Sequence, residues 1–144
     1  MIQKTILPLA LSAIFLASAS NVYAEQDTRQ LVEFPDVMRT HMLSNMRDHL
    51  VAINEILSYL AKDELEKAAD VAEYRLGFSS LETHGASYIA KFMPADMAAA
   101  GTAMHRAASQ FARVAQEGEA LPAYKKLNDI TTACTVCHAG YRAM

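Results

Sequence analysis

From Pro35 to about Ala61, the apolar residues Met38, Met42, Met46, Leu50, Ile53, Leu57 and Leu60 follow one another at steps of three and four. That spacing holds them on one side of an α-helix and would scatter them over both faces of a strand. It predicts one amphipathic helix, roughly 40 Å long at 1.5 Å per residue. The rhythm returns at Leu65, Ala68, Ala69, Ala72 and Leu76 and weakens at Gly77. It returns again at Met97, Gly101, Met104, Ala108, Phe111 and Ala115, with Gly118 as a stop, and a last time at Tyr124, Leu127, Thr131, Cys134, His138 and Tyr141. Pro35, Pro94 and Pro122 each precede a long periodic segment. There a missing N–H costs nothing and the fixed φ suits a first turn, so they read as helix starts. The stretch Ser79–Phe92, holding Gly85, reads either as a kinked extension of the second helix or as a packed loop. Nothing alternates with period two, so the expectation is four helices and no sheet. Short connections between such helices favour an all-α, antiparallel four-helix bundle, whose core is where such proteins keep cofactors.

Residues 1–24 read as a secretory signal peptide, cleaved from the mature protein. Lys4 opens a short start, Ile6–Ala17 is an apolar stretch, and Val22-Tyr23-Ala24 offers the small residues of a cleavage site. The mature domain is then 25–144, one compact unit, which excludes a multidomain machine. Losing Lys4 takes the net charge of the whole chain from −3 to −4, and no basic run is longer than Lys125-Lys126. Nucleic acid is therefore excluded as a partner, since phosphate binding needs a basic stripe. With the leader gone, no apolar run approaches the ~20 residues that span a bilayer. The expectation is an exported, periplasmic protein with no membrane attachment.

The chain has two cysteines, Cys134 and Cys137, and His138 follows at once. On a helix, positions i, i+3 and i+4 share one face, so the two thiols and the imidazole project together. Cys-x-x-Cys-His is the attachment signature of c-type haem: each thiol adds to a vinyl group as a thioether, and the imidazole meets the iron. Three other chemistries compete. A thioredoxin-type pair needs its first cysteine at a helix N-terminus after a strand, where the dipole lowers the thiol pKa; Cys134 lies about three turns inside a helix. Structural zinc wants a fourth ligand and usually a second close pair, and a local disulfide would strain a regular helix.

A single such motif close to the C-terminus, preceded by three helices, resembles the class II c-type cytochromes, the cytochrome c′ family of four-helix bundles. The likeness in architecture covers the mature chain. In detail it is strongest over Cys134–Arg142, where the motif is followed by an aromatic and an arginine at the third and fourth positions after the histidine. The resemblance implies that Cys134 and Cys137 attach one haem c covalently, that His138 is the axial iron ligand, and that Arg142 lies beside the proximal imidazole. A cation near a helix C-terminus also stabilises the macrodipole by a few tenths of a kcal/mol, roughly. Tyr141 reads as packing.

In the family, the first helix supplies the residue over the other iron face. An apolar side chain there leaves the iron five-coordinate and open to small gases; a methionine fills the sixth position in members that carry electrons. Met38, Met42 and Met46 stand four apart on that helix. Counting from Pro35 favours Met46 as the possible sixth ligand; matching Asn45-Met46-Arg47 favours Met42. A methionine stripe is also ordinary core filling. The family's propionate-side arginine is absent from either register, with Arg39 or Arg47 as neighbouring substitutes. His41, His49, His84 and His105 read as ordinary surface or hydrogen-bonded histidines, His49 being the one to test as a ligand. With the carboxylates scattered along outer faces, no second catalytic constellation stands out. The expectation is a non-enzymatic periplasmic electron carrier exchanging electrons with redox partner proteins. The alternative is a five-coordinate protein binding nitric oxide or carbon monoxide. Family members often dimerise through their first two helices, so the resemblance admits a homodimer.

Overall fold

The computed structural model describes residues 26–144; the expected leader, residues 1–24, lies outside the described residues. A short strand β1 (Gln30–Val32) leads into α1 (Asp36–Leu60), which starts directly after Pro35 with Asp36 in its first turn. That carboxylate complements the partial positive charge of the helix N-terminus. The chain leaves α1 through Asp63, whose φ of 59° puts it in the left-handed region, and enters α2 (Leu65–Arg75).

The stretch that the sequence leaves open is a packed connection containing one short helix. A 3-10 turn at Phe78–Ser80, α3 (Ala86–Ile89) and a second 3-10 turn at Ala90–Phe92 carry the chain across. Two glycines make it possible. Gly77 sits so close to its neighbours that a Cβ would lie 2.6 Å from Glu73 Oε2 and 2.7 Å from Ser109 Oγ. Gly85, at φ +60°, turns the chain where most side chains would be strained. Beyond Pro94 come α4 (Ala95–Gln116), α5 (Ala120–Gly140) and a closing strand β2 (Tyr141–Ala143).

Two sequence expectations are corrected here. Among the described residues there is a sheet: β1 and β2 pair in parallel, Gln30 with Tyr141, Leu31 with Arg142 and Val32 with Ala143. Strands of three residues are too short to leave a period-two signal. The last helix also starts two residues before Pro122, which occupies the third position of its first turn, where its missing N–H has no intrahelical partner to lose. The helix ends at Gly140, so Tyr141 and Arg142 belong to the ribbon and not to the helix.

The fold is otherwise all-α. α1 packs on α2, α2 on α4 and α4 on α5, whereas α1 and α5 make no comparable interface. Two apolar clusters result. The larger gathers Ala52, Ala68, Ala69, Ala72, Ala108 and Ala112 around Ile56, Phe111 and Ile130. The smaller holds Val32, Phe34, Met42, Ile89 and Met97, with Met38, Met46, Met93, Cys137 and Tyr141 packed against it. No described helix is long and apolar enough to cross a membrane.

Candidate functional site

α5 remains helical through both cysteines to Gly140, and the two thiols are free and half-buried. Cys134 packs against the larger cluster and Cys137 against the smaller, so the pair straddles the junction of the two cores. Burial pushes both thiols above the ordinary cysteine range. That is the reverse of what a nucleophilic redox pair needs, because attack requires the thiolate.

His138 is exposed. Its backbone carbonyl, one of the unpaired acceptors of the last helical turn, accepts a hydrogen bond from Arg29 Nη1 at 3.4 Å. Arg29 in turn pairs with Asp27 at 2.8 Å, and this hydrogen-bonded guanidinium holds the Asp27 carboxyl well below its usual range. Arg142 lies on β2, its Nε 3.7 Å from Asp27 Oδ2 and its Nη1 3.6 Å from the Met144 sulfur. Two arginines therefore share one carboxylate beside the end of α5. Arg29 carries no sequence signal for this role; only the parallel ribbon brings it 109 positions back along the chain to His138.

On the other side of the smaller cluster lies a cavity of about 160 Å³ between α1, the 78–93 connection and α4. Met42 and Met46 both line it, Met42 only 6 % exposed and Met46 half-buried. Gly101 lines it too, and a Cβ there would meet nothing within 4 Å, so free space reaches the α4 backbone. Cys134, Cys137 and His138 are not among its walls. The structure thus brings Cys137 and Met46 onto one apolar cluster and leaves His138 outside it. Of the two arginines suggested as neighbours, Arg39 pairs with Asp36 at 3.2 Å and Arg47 is exposed.

The polar wall of the cavity was not legible as a group in the sequence. His49 from α1, His84 from the connection and His105 from α4 stand together there. The His84 carbonyl is clamped to α1 by His41 Nε2 at 2.9 Å and Asn45 Nδ2 at 3.0 Å, both donating. Beneath His49, Arg75 of α2 grips Asp48 through two nitrogens and Glu55 at 2.6 Å. Hydrogen bonding to Arg75 lowers the Asp48 pKa. Burial, with some repulsion from His84 and His105, lowers that of His49 to about 4. His84 is shifted down by burial and by His105. Not every carboxylate is scattered solvated charge, since Asp48 and Glu55 fasten α1 to α2.

Comparison with family models, with curated proteins and with solved structures returns no match.

Proposed function

We propose that this chain is an exported c-type cytochrome built as an antiparallel four-helix bundle, carrying electrons through one haem c held by Cys134 and Cys137. The observation that carries the reading is the pair of half-buried thiols on a continuous helix, with the histidine of the same motif beside them. Their raised pKa values and their depth within α5 speak against a redox pair. α1 and α5 meet through side chains of the shared clusters and not through a close helix–helix interface, the side on which a haem held by α5 would have to lie.

Cys134 and Cys137 would anchor the group, and the exposed His138 ring, engaged in no hydrogen bond among the described residues, is free to serve as the axial ligand. Bound haem supplies a one-electron ferric–ferrous couple. Met46 remains the favoured sixth ligand: it packs on the same cluster as Cys137 and is only half-buried, whereas Met42 is locked among Val32, Phe34 and Ile89. Histidine–methionine ligation is the arrangement that raises the potential in cytochromes c. At about 160 Å³ the cavity is small. Pockets for drug-sized ligands run roughly 300–1,000 Å³, so seating a ring requires the methionines to move, which their unbranched chains allow. Arg142 and Arg29, sharing Asp27 near the end of α5, would set positive charge beside the proximal side. A homodimer through α1 would draw on the exposed Leu43, Leu50 and Leu57, seven apart on that helix.

One observation favours the five-coordinate alternative: the cavity is already large enough for a diatomic gas and is lined mostly by apolar side chains. A single preparation separates the readings. Expressed with haem-maturation machinery, the full chain is expected to gain covalent haem by mass and to show a thioether haem spectrum, both lost in Cys134→Ala/Cys137→Ala. A ferrous spectrum indifferent to carbon monoxide supports methionine ligation, and Met46→Ala should then abolish that indifference while Met42→Ala does not. A shift with carbon monoxide in the parent replaces the carrier by the gas-binding protein. A colourless, iron-free product overturns both.

A further inference from the structure

α5 ends without the left-handed residue that commonly closes a helix. Tyr141 turns at once to extended backbone, and its N–H closes the last turn on the Cys137 carbonyl. In a continuing helix the next donor, the N–H of Arg142, would reach the carbonyl of His138. Arg142 lies on β2 opposite Leu31 instead. The pairing that takes this donor away also supplies a replacement: two residues before Leu31, Arg29 donates from Nη1 to the His138 carbonyl at 3.4 Å.

The replacement is braced. Arg29 lays two other nitrogens along one carboxylate, Nε 2.9 Å from Asp27 Oδ1 and Nη2 2.8 Å from Oδ2, and its backbone N–H gives to Oδ1 as well, at 3.2 Å. A planar fork held along one edge leaves Nη1 a narrow choice of direction. Three residues on, Val32 is buried with Phe34 in the methionine cluster on which Cys137 packs, so the strand after Arg29 is anchored to the same core as the motif. Exposed ion pairs contribute little where two free side chains must be ordered; here strand and carboxylate have ordered one of them in advance. His138 has no other holder. Neither of its ring nitrogens makes a hydrogen bond among the described residues, whereas a metal-binding imidazole is ordinarily steadied through its second nitrogen.

We propose that Arg29 is a positioning residue for His138: it holds the carbonyl of the residue whose imidazole is to meet the iron, and so fixes the backbone from which that ring projects. The inference rests on the haem reading above and goes beyond it, since the charge that Arg29 contributes is separate from the geometry that it imposes. Charge needs only a cation nearby. Geometry needs the fork, the Asp27 brace and the parallel register together. Arg29→Lys keeps the charge and loses the fork. Asp27→Asn keeps Arg29 with its charge and loses the ionised brace, so each variant separates the two effects.

Two measurements on the full chain test it. In the haemless Cys134→Ala/Cys137→Ala protein, hydrogen exchange of the amides of residues 141–143 is expected to quicken by about two- to fivefold on adding Arg29→Gln or Asp27→Asn, the scale of an exposed charged contact, with the α4 amides unchanged. In the haem-loaded protein, the ferric electron paramagnetic resonance spectrum should show one axial geometry in the parent and a spread or second species in Arg29→Gln, Arg29→Lys and Asp27→Asn alike. A role of charge alone predicts otherwise: Arg29→Lys would match the parent, and the reduction potential would fall in Arg29→Gln and rise in Asp27→Asn with the spectrum intact. That result overturns the proposal, as does unchanged exchange. A colourless parent removes the haem reading and this inference with it; a loaded parent whose variants all keep its spectrum overturns this inference alone.

Discussion

The two cores of this molecule are built from different material. Around Phe111 the helices meet through alanines, with Ala52, Ala68, Ala69, Ala72 and Ala108 fully buried, so backbones approach closely and little space is left. Around Met42 the filling is methionine, the walls include an irregular connection and a short ribbon, and a cavity remains. Alanine fixes helix spacing because it has no rotamers to change; methionine tolerates whatever shape its neighbours impose. One end sets the geometry and the other keeps room, and Cys137 and Met46, the residues proposed to hold a haem, lie at that second end.

The largest expected effect strikes the alanine-lined core. Phe111→Ala removes a side chain with no exposure in surroundings that cannot collapse, and should cost about 3–5 kcal/mol in urea unfolding. Met46→Leu, by contrast, should cost less than ~1.5 kcal/mol. Equal losses would erase the distinction between the two cores.

Next in size is acid sensitivity confined to the cavity end. His49 has a folded pKa of about 4, lowered from 6.5 mainly by burial. The unfolded chain therefore takes up this proton first, and stability is full above about pH 6.5 and drains away as pH falls toward 4. Across the whole window the loss is of order 3 kcal/mol. Unfolding at pH 7 and pH 4.5 should show most of that loss, and His49→Gln should flatten it.

The smallest effect distinguishes two glycines. Gly101→Ala in mid-helix meets nothing within 4 Å and should raise stability by about 0.5–1 kcal/mol. Gly77→Ala meets Glu73 and Ser109 at under 3 Å, and should lower the melting temperature instead.

Helix existence was readable in the sequence because it depends on local spacing: the segment from Pro35 to about Ala61 becomes α1 almost to the residue, but Leu50 and Leu57 of its stripe face outward and Ala52 and Ile56 take the core side. Residues 79–92 resisted because their structure rests on contacts made elsewhere, such as the His84 carbonyl held by His41 and Asn45. The thiol pair was visible as a motif, yet its placement across two cores was not, since that depends on how α5 lies on α4. The histidines are 35 and 21 positions apart in sequence order. No periodicity joins residues at such separations; only the meeting of α1, the connection and α4 does.

The ribbon of β1 and β2 joins residues 30–32 to residues 141–143 near the end of the chain. A closure spanning so much chain gains few hydrogen bonds for the freedom it removes, so its amides are expected to exchange before those of the helices. It works as the buckle of a belt. Trimming either end unfastens both, and the final turn of α5, with Cys137 and His138 upon it, loses its tether to Arg29.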